Sequence, residues 1–202
     1  MRLAIAVPAH DTVPALFAND LARMFATTQA SVPIVTLAMV VGTFVHHARE
    51  NLLNDMVRVW GATHILWLDA DMVFPPDTAL RLLAHDKDVV AANYVTRTAR
   101  PRPTAMRDGQ CVSSSEATGL EAVDHVGMGV FLMKTSVVEH IPSPRFWYST
   151  PTETEDVYFC RLLRAAGHTI HIDHDLSKSV GHIGTHTYRE THRETHRDVV
   201  AV

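Results

Sequence analysis

Three groups of polar residues in this 202-residue chain have the types and spacing to do chemistry. Asp69-Ala70-Asp71 follows the apolar run 64–68. Two carboxylates one residue apart, leaving a buried strand, point into one crevice and suit an octahedral Mg2+ or Mn2+ that also takes phosphate oxygens. They could instead be solvated loop acids that cap the helix after Pro75-Pro76. Thr154-Glu155-Asp156 opens an amphipathic segment. Carboxylates there either cap the helix, favoured by its free N–H groups and dipole, or supply a general base and a partner that orients an acceptor hydroxyl. His182, in the glycine-flanked run 179–184, is a third candidate. A neutral imidazole is a good ligand for a divalent metal already held by an aspartate, although a lone histidine is more often structural.

Such groups work only if the chain folds them together, and two hydrophobic periods alternate along it. Residues 2–8 and 32–41 are short apolar strands, and residues 64–69 form a near-continuous apolar run expected of a central strand covered on both faces. Between them, Leu16, Leu21, Met24 and Phe25 recur at helical spacing, and a second helix runs from about Phe44 to Trp60 with Gly61 as its stop. A third helix carries Leu80, Leu82 and Leu83, and a strand covers 88–94. Residues 96–115 form a surface loop or hairpin. Two apolar runs, 120–126 and 129–133, follow around Gly127-Met128-Gly129. A Pro-rich loop bearing Phe146, Trp147 and Tyr148 leads into a helix near Glu155, and short strands cover 168–173 and 179–183. Strand and helix in alternation predict an α/β fold, an open, mostly parallel central sheet whose ligands bind at the carboxyl ends of the strands.

Composition narrows the function classes. Hydrophobic residues at 47% and charged residues at 20% fit one compact domain and exclude a disordered or fibrous chain. A net charge of -4 gives no global polybasic character for nucleic acid. Two cysteines, Cys111 and Cys160, lie far apart without metal-ligand spacing, which excludes a disulfide scaffold and makes a reducing cytoplasm the simplest location. No run approaches the roughly 20 apolar residues of a membrane helix, and the N-terminus has no signal-peptide core. The 14 histidines crowd toward the C-terminal third, where most are expected on the surface.

In order, the Asp69-Ala70-Asp71 strand end, Gly127-Met128-Gly129, Thr154-Glu155-Asp156 before its helix, and Gly181-His182-Ile183-Gly184 resemble the GT-A fold glycosyltransferases, particularly the inverting second family. The likeness spans about residues 2–184 and implies a single GT-A, Rossmann-like domain with a small secondary sheet or hairpin, followed by a polar tail, 185–202. It implies a nucleotide-sugar donor, most simply a UDP-sugar, with its diphosphate on Mn2+ or Mg2+. Asp71 and His182 would hold the metal, with Asp69 contributing from nearer the ribose, and Asp156 would be the base with Glu155 beside it. His10 and Asp11 lie where the family receives base and ribose. Arg49 and Asn51 resemble an Ala-Arg-Asn turn beside the nucleotide, interrupted here by Glu50, with Arg49 near the phosphates. Gly127 and Gly129 would admit the donor sugar closely, or simply make a hairpin turn.

The compact form is similar to bacteriophage-type enzymes, some of which glycosylate hydroxymethylated bases such as 5-hydroxymethylcytosine in DNA. Arg97, Arg100, Arg102 and Arg107 stand against one acid, Asp108, a local patch suited to phosphates, although Arg97 could serve the donor diphosphate instead. Trp147 and its neighbours could stack on a sugar or a flipped base, or pack in the core. The tail, with His192 and His196 and with Glu190 and Glu194 each four apart, is a solvated helix, a zinc binder, or a lid formed by His186, Tyr188 and Arg189 over the nucleotide. The rivals are a glycan acceptor, or a noncatalytic nucleotide-sugar or DNA-binding module. A nucleotidyltransferase would need a Gly- and Lys-rich phosphate loop, which residues 7–14 lack.

Overall fold

The computed structural model describes residues 1–42, 44–150, 153–184 and 187–188. The first half follows the predicted alternation. Strand β1 (Leu3–Ala9) leads to helix α1 (Ala15–Ser31), β2 (Val35–Val41), α2 (Val45–Asn54) with a π-helical continuation over Asp55–Val59, and β3 (His64–Leu68). Gly61 ends the second helix with φ +69°, a left-handed conformation that glycine adopts without strain. Strand β4 (Met72–Val73), α3 (Thr78–Ala84) and β5 (Val89–Ala91) follow. A hairpin of β6 (Met106–Arg107) and β7 (Gln110–Cys111) precedes β8 (Leu120–Val123) and β9 (Val130–Lys134). Then come α4 (Glu155–Ala165), β10 (Ile170–Asp173), α5 (His174–Ser177), β11 (Gly181–Ile183) and β12 (Thr187–Tyr188).

Seven strands form the central sheet in the order β2-β1-β3-β9-β5-β10-β8. Five run in one direction; β9, between β3 and β5, and the edge strand β8 oppose them. Alternation along β3 splits the core into two layers. Ile65 and Trp67 join Leu52 and Leu53 of α2 and Phe159 and Leu163 of α4; Leu66 and Leu68 join Phe17, Leu21 and Met24 of α1 and Leu82 of α3. Each such side chain contributes about 1.5–3 kcal/mol by leaving water, so β3 is held from both faces. This makes Asp69 the first polar residue beyond a rigid strand.

Several elements differ from the sequence reading, the short strand β4 among them. The strand expected over 88–94 stops at Ala91 because buried Asn93 leaves the ladder. Its N–H donates to Ser177 Oγ at 2.8 Å, its amide to Val112 O at 2.8 Å, and its Oδ1 accepts from Ala105 N at 3.0 Å. Helix α5 was not anticipated; Asp173 caps it by accepting from Leu176 N at 2.8 Å. Several histidines are structural. His85 pairs with Asp173 at 2.9 Å, and buried His174 bridges Ser114 Oγ at 2.9 Å and Glu121 Oε2 at 3.0 Å. Tail residues 189–202, with His192, His196, Glu190 and Glu194, and the lid residues His186 and Arg189 lie outside the described residues; of Tyr188 only the backbone is described.

Candidate functional site

The carboxyl end of β3 builds the site. Asp69 N donates to Gly129 O at 3.1 Å, and a tight turn, Met72 N to Asp69 O at 3.2 Å, starts β4 at once. Strand β4 pairs antiparallel with β11, placing His182 opposite Met72, and Ile183 N donates to Asp71 O at 2.7 Å. This register brings the imidazole to the second acid, His182 Nε2 lying 3.4 Å from Asp71 Oδ1. A carbonyl can only accept, so Nδ1 is the nitrogen that donates to Val95 O, at 3.0 Å. In the neutral ring Nε2 therefore turns a lone pair toward a carboxylate. Two facing acceptors call for a proton or a cation between them. The other Asp71 oxygen meets Arg97 Nη2 at 2.9 Å, and Arg97 Nη1 donates to Ile183 O. Burial would raise the Asp71 pKa, but His182, with a proton on Nε2, and then Arg97 overcome it and hold the carboxyl below its ordinary value.

Asp69 turns the other way. Arg49, on α2, is 2% exposed; its Nη2 donates to Asp69 Oδ1 at 2.7 Å, its Nε lies 3.5 Å from Glu155 Oε1, and its guanidinium stands 5.8 Å from the Trp67 ring. This is a buried cation clamped between two acids rather than a helix-surface pair or an exposed phosphate ligand. Its Nη1 is buried with no hydrogen-bond partner among the described residues. Burial works against the charged guanidinium, yet Asp69, Glu155 and Asp156 together raise its pKa. Burial raises Asp69 and Glu155, with Arg49 opposing and the neighbouring carboxylates adding. Among the described residues no three His, Cys, Asp or Glu side chains gather to hold a metal by themselves.

Asp156, in the first turn of α4, accepts at Oδ1 from the Thr154 hydroxyl and from Val157 N at 2.8 Å. Its charge acts on Arg49, Asp69, Glu155 and Tyr94, so the helix acids and the first acid of the β3 end share one electrostatic neighbourhood. Tyr94 is a residue that sequence reasoning missed. Its buried hydroxyl accepts from Gly129 N at 3.2 Å, and its ring stands edge-on to His182 at 5.3 Å. The available signal was the pair of glycines, whose missing side chains leave room for a ring.

The remaining expected residues are dispersed around this centre. His10 and Asp11 are exposed beyond β1, paired at 3.2 Å, and the His10 hydrogen bond leads in lowering the Asp11 pKa. A cleft of about 140 Å³ opens there among Pro8, Ala9, His10, Gly42, Val45 and Ala48. Asn51 is exposed, whereas Glu50 turns to the 143–145 loop, accepting from Arg145 Nη1 and N and from Ser143 Oγ, each at 2.8 Å. A second cleft of about 170 Å³, beside Val57 and Val138, contains none of the carboxylates above. In the arginine loop, Arg97 is held by Asp71 and Arg107 by Glu121 at 2.7 Å; Arg100 and Arg102 make no ion pair among the described residues. The aromatic loop divides: Phe146 is buried against Trp67 and Phe159, while Trp147 and Tyr148 are exposed.

No protein-family model matches the chain, and no curated protein matches its sequence. Among solved structures it is similar to A197 from STIV, with a TM-score of 0.61 and 18% identity over 91% of this chain and 86% of that one. It is also similar to S. aureus TarS 1–349 in complex with UDP, with a TM-score of 0.47 and 13% identity over 87% of this chain and 58% of that one. The first likeness shows the fold, a single Rossmann-like α/β domain. Among the described residues no helix is long and apolar enough to cross a membrane.

Proposed function

We propose that the chain is a nucleotide-sugar-dependent glycosyltransferase that moves a sugar to an acceptor hydroxyl. The observation that carries this reading is the meeting of Asp71 with His182 at the end of the strand whose other acid, Asp69, shares Arg49 with Glu155. One carboxylate and one imidazole fit Mn2+ or Mg2+ bound mainly through substrate phosphates and water, since such ions need only one or two protein ligands there. When bound, the cation offsets negative charge gathering on the leaving diphosphate.

The chain's own residues supply the rest. Arg97, already on Asp71, is within reach of a diphosphate as a bidentate donor. The cleft between β1 and α2, edged by His10, receives the nucleoside, and Gly127 and Gly129 line the approach of the donor sugar. Asp156 Oδ1 is occupied by Thr154 and Val157, leaving Oδ2 to take the acceptor proton as the hydroxyl attacks. Glu155, braced by Arg49, orients that acceptor. Attack opposite the departing diphosphate is a single displacement with inversion. DNA carrying hydroxymethylcytosine is a second acceptor reading, favoured by Arg100 and Arg102, which make no ion pair among the described residues.

The test combines Mn2+ or Mg2+, a donor panel led by UDP-sugars, and either small glycans or hydroxymethylcytosine DNA, with nucleoside diphosphate release as the readout. Asp156→Asn should retain donor binding and lose roughly 100-fold or more in turnover. Asp71→Asn should weaken donor and Mn2+ binding together. Normal turnover in both variants would overturn the assignment.

A further inference from the structure

A patch of rings borders the carboxylates. Phe44, just before α2, is 61% exposed; Trp147 and Tyr148, in the loop before α4, are 45% and 43% exposed. They meet around His46. Its ring lies 5.4 Å from Trp147 and 5.0 Å from Tyr148, both edge-on, 4.3 Å from His47 and 5.8 Å from Phe44. His46 itself is only 8% exposed, and its Nδ1 is buried without a hydrogen-bond partner among the described residues. Exposed rings that adjoin a polar crevice mark ligand grooves more often than they stabilise a fold.

The patch is fixed before any ligand arrives. Arg145 and Ser143 are tied to Glu50, Arg145 Nε donates to Ile141 O at 3.0 Å, and Phe146 is sunk in the core between Trp67 and Phe159. Trp147 and Tyr148 are therefore carried by an anchored loop, which lowers the ordering cost of binding. It is also continuous with the site. His46 precedes Arg49 by three residues on α2, so both lie on one helix face, and Arg49 touches Asp69 and Glu155. Burial and then the adjacent Glu155 charge raise the Tyr148 phenol, which places Tyr148 beside that carboxylate.

Charge selects among flat-faced ligands. The rings around His46 are Phe44, His47, Trp147 and Tyr148, burial and then His47 favour the neutral form of His46, and the charges beside Tyr148 are Glu155, Asp156 and Arg49, whose guanidinium is already clamped by Asp69 and Glu155. A polyanion needs cations along its backbone, and here it would meet carboxylates. A neutral sugar suits both halves, with its C–H face on the rings and its hydroxyls toward Glu155 and Asp156. We propose that Phe44, Trp147 and Tyr148 around His46 form the acceptor platform and that the acceptor is an uncharged glycoside; this rests on the transferase reading above.

Tryptophan fluorescence of the full chain titrated with cellotriose, chitotriose and maltotriose, and separately with hydroxymethylcytosine DNA, tests the platform without any turnover. One glycan series should quench in the wild type, and Trp147→Phe should remove that signal while Phe44→Ala weakens binding roughly tenfold, about 1.4 kcal/mol. In the transfer assay Phe44→Ala and Trp147→Ala should raise the acceptor KM roughly tenfold. Glycan binding with no donor cleavage would defeat the transferase reading alone. Absence of glycan binding, unchanged acceptor KM in both variants, or ring-dependent binding of DNA in place of glycan would overturn the platform.

Discussion

Tyr94 fills with its ring the space that side chains at Gly127 and Gly129 would need. A Cβ on Gly127 would stand 2.8 Å from Tyr94 Cζ, and one on Gly129 would stand 2.9 Å from the same atom and from Met72 Sδ. The same ring supports the His182 imidazole edge-on, and its hydroxyl receives Gly129 N–H. One side chain thus braces both the glycine turn and the imidazole that faces Asp71, and the two glycines are explained by packing before any donor sugar is considered.

Gly127→Ala should destabilise the protein by about 1–3 kcal/mol through overpacking against a ring that is walled in. In urea unfolding, the double variant Gly127→Ala with Tyr94→Ala should lose less than the sum of the two single losses, because the methyl then enters the vacated space. Strict additivity would show that the clash is relieved elsewhere.

Arg49→Met leaves Asp69 and Glu155 facing each other without their cation, and breaking a buried pair from one side costs about 3–5 kcal/mol at neutral pH. Both carboxyls already titrate above their ordinary values with Arg49 present. The deficit of the variant should therefore shrink as pH falls from 7 toward 5 and the acids take up protons. Unfolding midpoints in a pH series give the answer; a deficit constant with pH would mean the loss is one of packing with Trp67.

Glu155 and Asp71 should shape the pH dependence of stability in opposite senses. The folded pKa of Glu155 is raised above 4.5, so its contribution is full below that value and is lost as pH rises through the folded pKa. Asp71 is held below 3.8, so its contribution is present above that value and disappears as pH falls through the folded pKa. Relative to wild type, Glu155→Gln should gain stability as pH rises above 4.5, and Asp71→Asn should lose less than wild type in acid. Parallel curves for all three proteins would contradict both directions.

The layers and the first acidic pair were legible because β3 announces itself twice, by an apolar run too uniform for a surface strand and by the abrupt change to Asp69. His182 was legible from its glycine flanks. The burial of Arg49 was not, since an arginine in an amphipathic helix reads as solvated until the Asp69 and Glu155 that neutralise it are known to be adjacent. Nor was the insertion of β9 between β3 and β5: Val130–Lys134 is apolar whichever direction it runs, and strand direction depends on partners remote in sequence. The split of Phe146 from Trp147 and Tyr148 was equally hidden, because it follows from the Glu50–Arg145 anchor, and Glu50 had read only as an interruption of a motif.

The ladder between β4 and β11 joins Met72 to His182, so the imidazole arrives through one of the most sequence-distant pairings in the molecule. Such closures come late when loops must shut before contacts reward them. A nascent chain that has left the ribosome only through α4 already owns its carboxylates and most of its hydrophobic layers, yet lacks the imidazole that faces Asp71. The pairing of Asp71 with His182 is thereby withheld until β11 has been translated and zipped onto β4.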